Sequence, residues 1–160
     1  MLYLSTEIFV PRSPAMVWSI LADPGAYLSW VEGLVEVMHE SGPAFGVGSV
    51  FHVGWKLGRK KILASLEITQ LLSPRVLATE TRVGSRLALL DRISLEPCPE
   101  GTRIEARTEI LEGDAVLRLL ARPSGLLGAP GAGVAEQRFH ERSFEAFRRL
   151  VETRTAAPYR

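Results

Sequence analysis

Two residues in this chain combine a titratable group with a position among apolar neighbours. Asp91 falls in the run Leu87, Leu89, Asp91, Ile93 and Leu95, every second residue of one strand. Alternation puts these five side chains on a single face. If that face turns inward, a carboxylate stands among leucines. Loss of water then raises its pKa and suits it to giving or taking a proton. The structural alternative is a bulge that turns Asp91 outward, or pairing with Arg92 or an arginine of a neighbouring strand. His140 lies with Ser143 inside a helical stripe formed by Phe139, Phe144, Phe147, Leu150 and Val151, and Glu136 is one turn earlier. A neutral imidazole there orients a ligand hydroxyl or carbonyl, or acts as a base. Its alternative is a helix-edge histidine bonded to water or to a strand. Asp91 and His140 are therefore the candidate catalytic or ligand-orienting groups.

Other reactive side chains point to less. His39 and His52 sit on strands that are candidate neighbours, but no third ligand has metal spacing, so no metal is expected. Cys98 is the single cysteine. It lies in the turn Glu96-Pro97-Cys98-Pro99-Glu100-Gly101 without a basic neighbour to lower its pKa, and reads as an incidental thiol. Arg59-Lys60-Lys61 is a small basic cluster at a hairpin tip, read as solubility and edge protection. Phosphate-binding glycine loops and the CxxC, HExxH and GxSxG signatures are missing from the sequence. No cofactor is expected. Trp18 reads as core beneath the first helix, Trp55 shares a face with Phe51 and Val53, and Trp30 falls in a short helical segment; plain packing accounts for all three.

The elements that position these residues follow from periodicity and punctuation. Leu4, Thr6, Ile8 and Val10 alternate, and Pro11 ends that strand. Ser13-Pro14 is an N-cap followed by proline at the first helical position, and Asp23-Pro24-Gly25 stops the helix. A second short helix covers Ala26 to Trp30. From Leu34 to Ile110 the texture is β: short alternating runs are separated by Gly58-Arg59-Lys60, Ser73-Pro74, Gly84-Ser85 and Pro97 to Gly101. Such spacing predicts an antiparallel meander. Residues 113–133 are broken by prolines and glycines, yet Leu119, Leu120, Leu126 and Leu127 are apolar. This stretch reads either as a connector or as a flap over a cavity mouth. Val134 to about Arg154 is a long amphipathic helix, and residues 155–160 read as a frayed tail.

The chain has 160 residues, 46% hydrophobic and 23% charged, with net charge +1. This is enough chain for one domain, 1–160, with a real core. The near-neutral charge gives no long-range attraction to nucleic acid or anionic lipid. No apolar run is long enough for a membrane span, and the N-terminus lacks a signal-peptide pattern. A cytoplasmic location is expected.

The order of elements suggests an α+β architecture in which a bent antiparallel sheet wraps one long C-terminal helix. Two short helices after the first strand would prop sheet and helix apart at one end. Four stretches carry a family resemblance. They are Ile8-Phe9-Val10-Pro11-Arg12-Ser13-Pro14-Ala15-Met16-Val17-Trp18; Asp23-Pro24 with Tyr27-Leu28-Ser29-Trp30; Gly48 opening a strand; and Ile93-Ser94-Leu95-Glu96-Pro97 with Gly101-Thr102-Arg103-Ile104 ahead of the last helix. Together they resemble the START-like (SRPBCC) superfamily, in its polyketide cyclase/dehydrase and lipid-transport branch. The resemblance implies a helix-grip fold with a ligand cavity and no single chemistry. The expected function is binding of a small hydrophobic ligand such as a lipid, isoprenoid, quinone or polyketide-like aromatic. Phe51, Trp55, Leu66, Leu77, Leu89 and Phe147 are the expected lining, with Asp91 and His140 as orienting groups. The alternatives are a cyclase or dehydratase using the same pocket, and an interaction module docking a protein partner or a second copy.

Overall fold

A computed structural model describes residues 2–57, 59–111 and 134–154. Seven strands form one antiparallel sheet: β1 (Leu2–Val10), β2 (Leu34–Ser41), β3 (Val50–Leu57), β4 (Lys60–Leu72), β5 (Val76–Val83), β6 (Arg86–Cys98) and β7 (Gly101–Ile110). Their spatial order is β1-β7-β6-β5-β4-β3-β2. Short turns force β2 to β7 into a meander, and the first strand closes against the last, with Leu2 opposite Ile110 and Val10 opposite Thr102. Helix α1 (Pro14–Leu21), a 3₁₀ turn (Pro24–Ala26) and α2 (Tyr27–Trp30) connect β1 to β2, and α3 (Val134–Arg154) follows the sheet. This is the helix-grip architecture. The expected flap between 113 and 133, the glycine of the β3–β4 tip and the 155–160 tail lie outside the described residues.

Local signals account for the ends of the short helices. Ser13 is extended, and its Oγ accepts a hydrogen bond from the Met16 N–H at 3.3 Å, while Pro14 occupies the first turn. Asp23 Oδ1 accepts from the Gly25 N–H at 3.1 Å and starts the 3₁₀ turn. The Tyr27 hydroxyl then donates to the Leu21 carbonyl at 2.9 Å in the buried interior, tying α2 to the end of α1. Burial, with Asp23 nearby, pushes the Tyr27 hydroxyl pKa upward and keeps it a donor.

The core lies between the inner face of the sheet and one side of α3. Val10, Val17, Leu21, Ile68, Ile104, Phe147 and Val151 are almost wholly buried there. Trp30 packs at 4.9 Å from Phe147 and 5.3 Å from Phe144, ring centre to ring centre, and at 5.7 Å edge-on to Tyr27. These contacts seat α2 against α3. Further along α3, Gln137 acts as a substitute strand neighbour for β1. Its Oε1 accepts from the Ser5 N–H at 3.2 Å and its Nε2 donates to the Ser5 carbonyl at 2.7 Å. The helix is thereby fixed along the β1 edge, one turn before His140.

Candidate functional site

Strand register sorts the inward side chains into rows. One row runs Ile68, Thr79, Asp91, Thr108, Leu4 across β4, β5, β6, β7 and β1. The next runs Phe51, Leu66, Thr81, Leu89, Ile110. A third contains Leu71, Leu77, Ile93, Ala106 and Thr6. Asp91 therefore keeps the inward parity of Leu89 and Ile93. A bulge does occur in β6, at Ala88, where Thr81 pairs with Leu89 and Arg82 with Leu87. It lies too far along the strand to turn Asp91 outward, but it turns Leu87, expected on the inward face, to the outer face beside Arg82, and Ala88 is buried in its place. Arg92 points to the other face and donates to Gln70 Oε1 at 2.6 Å. Among the described residues Asp91 has no ion-pair partner.

His140 approaches this face from α3 and is linked to Asp91 through a threonine. Thr108 Oγ1 donates to Asp91 Oδ1 at 2.5 Å and lies 3.1 Å from His140 Nε2. A threonine hydroxyl has one proton, and Asp91 takes it, so Nε2 must carry the imidazole proton and donate to Thr108. Nδ1 is then an acceptor, and the Thr6 hydroxyl donates to it at 2.6 Å. Donors run in one direction, Thr6 to His140 to Thr108 to Asp91, across α3 and three strands. Burial pushes the Asp91 carboxyl up to about 6, with the Thr108 hydrogen bond pulling the other way. Burial lowers His140 to about 4, opposed by Glu141. At neutral pH this leaves an ionised Asp91 and a neutral His140, the state the hydrogen bonds require.

Burial along the strands changes in a graded way. On β7 the inward residues Thr102, Ile104 and Ala106 are sealed, Thr108 is 9% exposed, and Ile110 is more open. On β6, the inward Leu95 and Ile93 are buried, while the inward Asp91 and Leu89 keep partial solvent access. Burial is thus complete at one end of the inner face and falls toward the other, with Asp91 at the transition. Of the other expected lining residues, Phe51 and Leu77 are buried, Phe147 is fully buried, and Trp55 and Leu66 are half-buried against the core. Sequence patterning singles out Asp91 and His140 but passes over Thr6, Thr81 and Thr108. Their one signal is a hydroxyl at inward parity in an otherwise apolar alternation.

An open groove of about 320 Å³ lies between α2, the following loop and α3; Trp30, Glu32, Arg142 and Ala146 are among its lining residues. Arg142 Nε donates to Glu32 Oε2 at 2.8 Å, and Ser143 Oγ accepts from the Glu32 N–H at 3.0 Å. Ser143, read from sequence beside His140, is thus engaged on the α2 side. His39 faces Phe51 and His52 faces Met38, so the two histidines occupy opposite sheet faces. Cys98 ends β6, its Sγ 3.7 Å from the Glu96 carbonyl.

A family model for polyketide cyclase/dehydrase and lipid transport matches residues 1–152. The chain belongs to this family. No curated protein matches the sequence significantly. Three solved structures illustrate how this polyketide cyclase/dehydrase family member compares with known folds. CV1439 from Chromobacterium violaceum has TM-score 0.70 and 16% identity over 95% of this chain and 99% of its own. Ara h 8.0201 has TM-score 0.68 and 15% identity over 94% and 97%. TTHA0849 from Thermus thermophilus has TM-score 0.69 and 12% identity over 96% and 99%. At such identities the likeness concerns the fold, which is START-like.

Proposed function

We propose that this protein binds a small hydrophobic molecule non-covalently between the inner face of the sheet and α3, with Asp91 as the polar group that meets it. The observation that carries the reading is the burial gradient. Leu89 and Asp91 point inward yet keep solvent access, while Ile93 and Leu95 further along the same strand are sealed. Phe51, Trp55, Leu66 and Leu89 are the proposed walls, with Leu77 and Phe147 toward the closed end. Apolar burial supplies affinity at about 25 cal/mol per Å², and the few polar groups set orientation. The family's description, polyketide chemistry and lipid transport, also fits apolar small molecules.

The test is native mass spectrometry of the purified protein with solvent extraction of any co-purified molecule, followed by titration with Nile red. One bound apolar molecule per chain, or saturable one-site dye binding, is expected. A protein that arrives empty and does not saturate with dye refutes the reading. A second reading, acid–base catalysis in the same space, is favoured by the Thr108 link between Asp91 and His140. It requires turnover of a bound compound that stops in Asp91→Asn while binding persists.

A further inference from the structure

Thr81 is the one polar member of the row Phe51, Leu66, Thr81, Leu89, Ile110. It is 1% exposed, and its Oγ1 has no hydrogen-bond partner among the described residues. Buried hydroxyls are almost always partnered, so one without a partner asks what would complete it. Asp91 stands in the adjoining row. It faces Thr79 directly, and Thr81 is two residues further along β5 in unbroken register. The Cα atoms of diagonal neighbours of this kind lie about 7–8 Å apart. Thr108 engages Asp91 Oδ1, and Oδ2 has no hydrogen bond among the described residues.

The two groups have complementary needs. An ionised carboxylate only accepts, whereas the Thr81 hydroxyl has a proton to give. An ammonium group suits Asp91 but has no lone pair for Thr81. A carbonyl oxygen suits Thr81 but is repelled by the carboxylate. A hydroxyl oxygen between them donates to Asp91 and accepts from Thr81. We propose that the ligand is a hydroxyl-bearing hydrophobe, an alcohol or a phenol, whose hydroxyl is held between Asp91 and Thr81. The proposal rests on the hydrophobic-ligand reading of the site and specifies its polar end.

Calorimetric titration of the full chain at neutral pH with 1-naphthol, 1-methylnaphthalene and 1-naphthylmethylamine tests it. Wild type is expected to bind 1-naphthol at least about tenfold more tightly than 1-methylnaphthalene, the factor that one good polar contact supplies. Thr81→Val, nearly isosteric, should lose most of that preference with unchanged affinity for 1-methylnaphthalene. Asp91→Leu should abolish it. Equal binding of naphthol and methylnaphthalene to wild type, tighter binding of the amine, or a preference that survives in Thr81→Val overturns the hydroxyl assignment and leaves the hydrophobic site standing. Failure of all three probes to bind instead overturns the hydrophobic-ligand reading, and the hydroxyl assignment with it.

Discussion

Burial opposes charge on both Asp91 and His140, and the consequences for pH run in opposite directions. The Asp91 carboxyl rises from its ordinary 3.8 to about 6 on folding. Its contribution to stability is therefore full below about 3.8 and is lost as pH rises through about 6. His140 falls from 6.5 to about 4. Its contribution is full above 6.5 and is lost as pH falls through about 4. In the native protein these opposing slopes largely cancel between pH 4 and 6.5. Asp91→Asn should expose the histidine slope, so that stability rises with pH across this window. His140→Gln should expose the carboxylate slope, so that stability falls. Two pKa units correspond to about 3 kcal/mol in each case. Urea unfolding of both variants at several pH values measures the slopes, and slopes of the same sign would refute the assignment.

The elements were mostly legible because each is marked locally. Ser13-Pro14 specifies the start of α1, alternation from Leu87 to Leu95 specifies β6 and the inward parity of Asp91, and short turns leave little choice but a meander. What local pattern did not carry is the pairing of β1 with β7, which spans about a hundred residues of chain. Thr6 and Thr108 become partners of His140 only through that pairing, so their role could not be read from their neighbours in sequence. The hydroxyl of Thr81 was equally silent, since it acquires meaning from Leu66 and Leu89 on either side. One position shows how closely β1 and the β6–β7 turn must approach. A Cβ on Gly101 would lie 2.2 Å from the Val10 carbonyl oxygen and 2.9 Å from Pro11 Cα. Both are backbone atoms and cannot move aside as a side chain would. Gly101→Ala should destabilise the protein by about 1–3 kcal/mol, the usual cost of overpacking. A melting temperature equal to wild type would show that the turn has slack.

At the scale of the whole molecule, stability is concentrated at the closed end of the grip. Phe147 is fully buried between Trp30, Phe144 and the sheet. Phe147→Ala should cost about 3–5 kcal/mol, measured by denaturant unfolding. Removing the exposed Arg103–Glu96 pair on the outer face should leave the same unfolding curve almost where it was, since water screens both charges. The open end is where strength gives way to responsiveness. The chain from Thr6 through His140 and Thr108 to Asp91 has a single polarity because Asp91 is ionised. A proton placed on Asp91 allows every member to reverse: Asp91 donates to Thr108, Thr108 to Nε2, and Nδ1 to Thr6. His140 stays uncharged throughout, so the event is a change of tautomer. The imidazole thereby becomes a built-in reporter on chemistry it does not touch. ¹⁵N shifts of His140 should exchange between Nε2–H and Nδ1–H patterns near the Asp91 pKa of about 6. A ligand that donates to Asp91 should hold the Nε2–H form to lower pH.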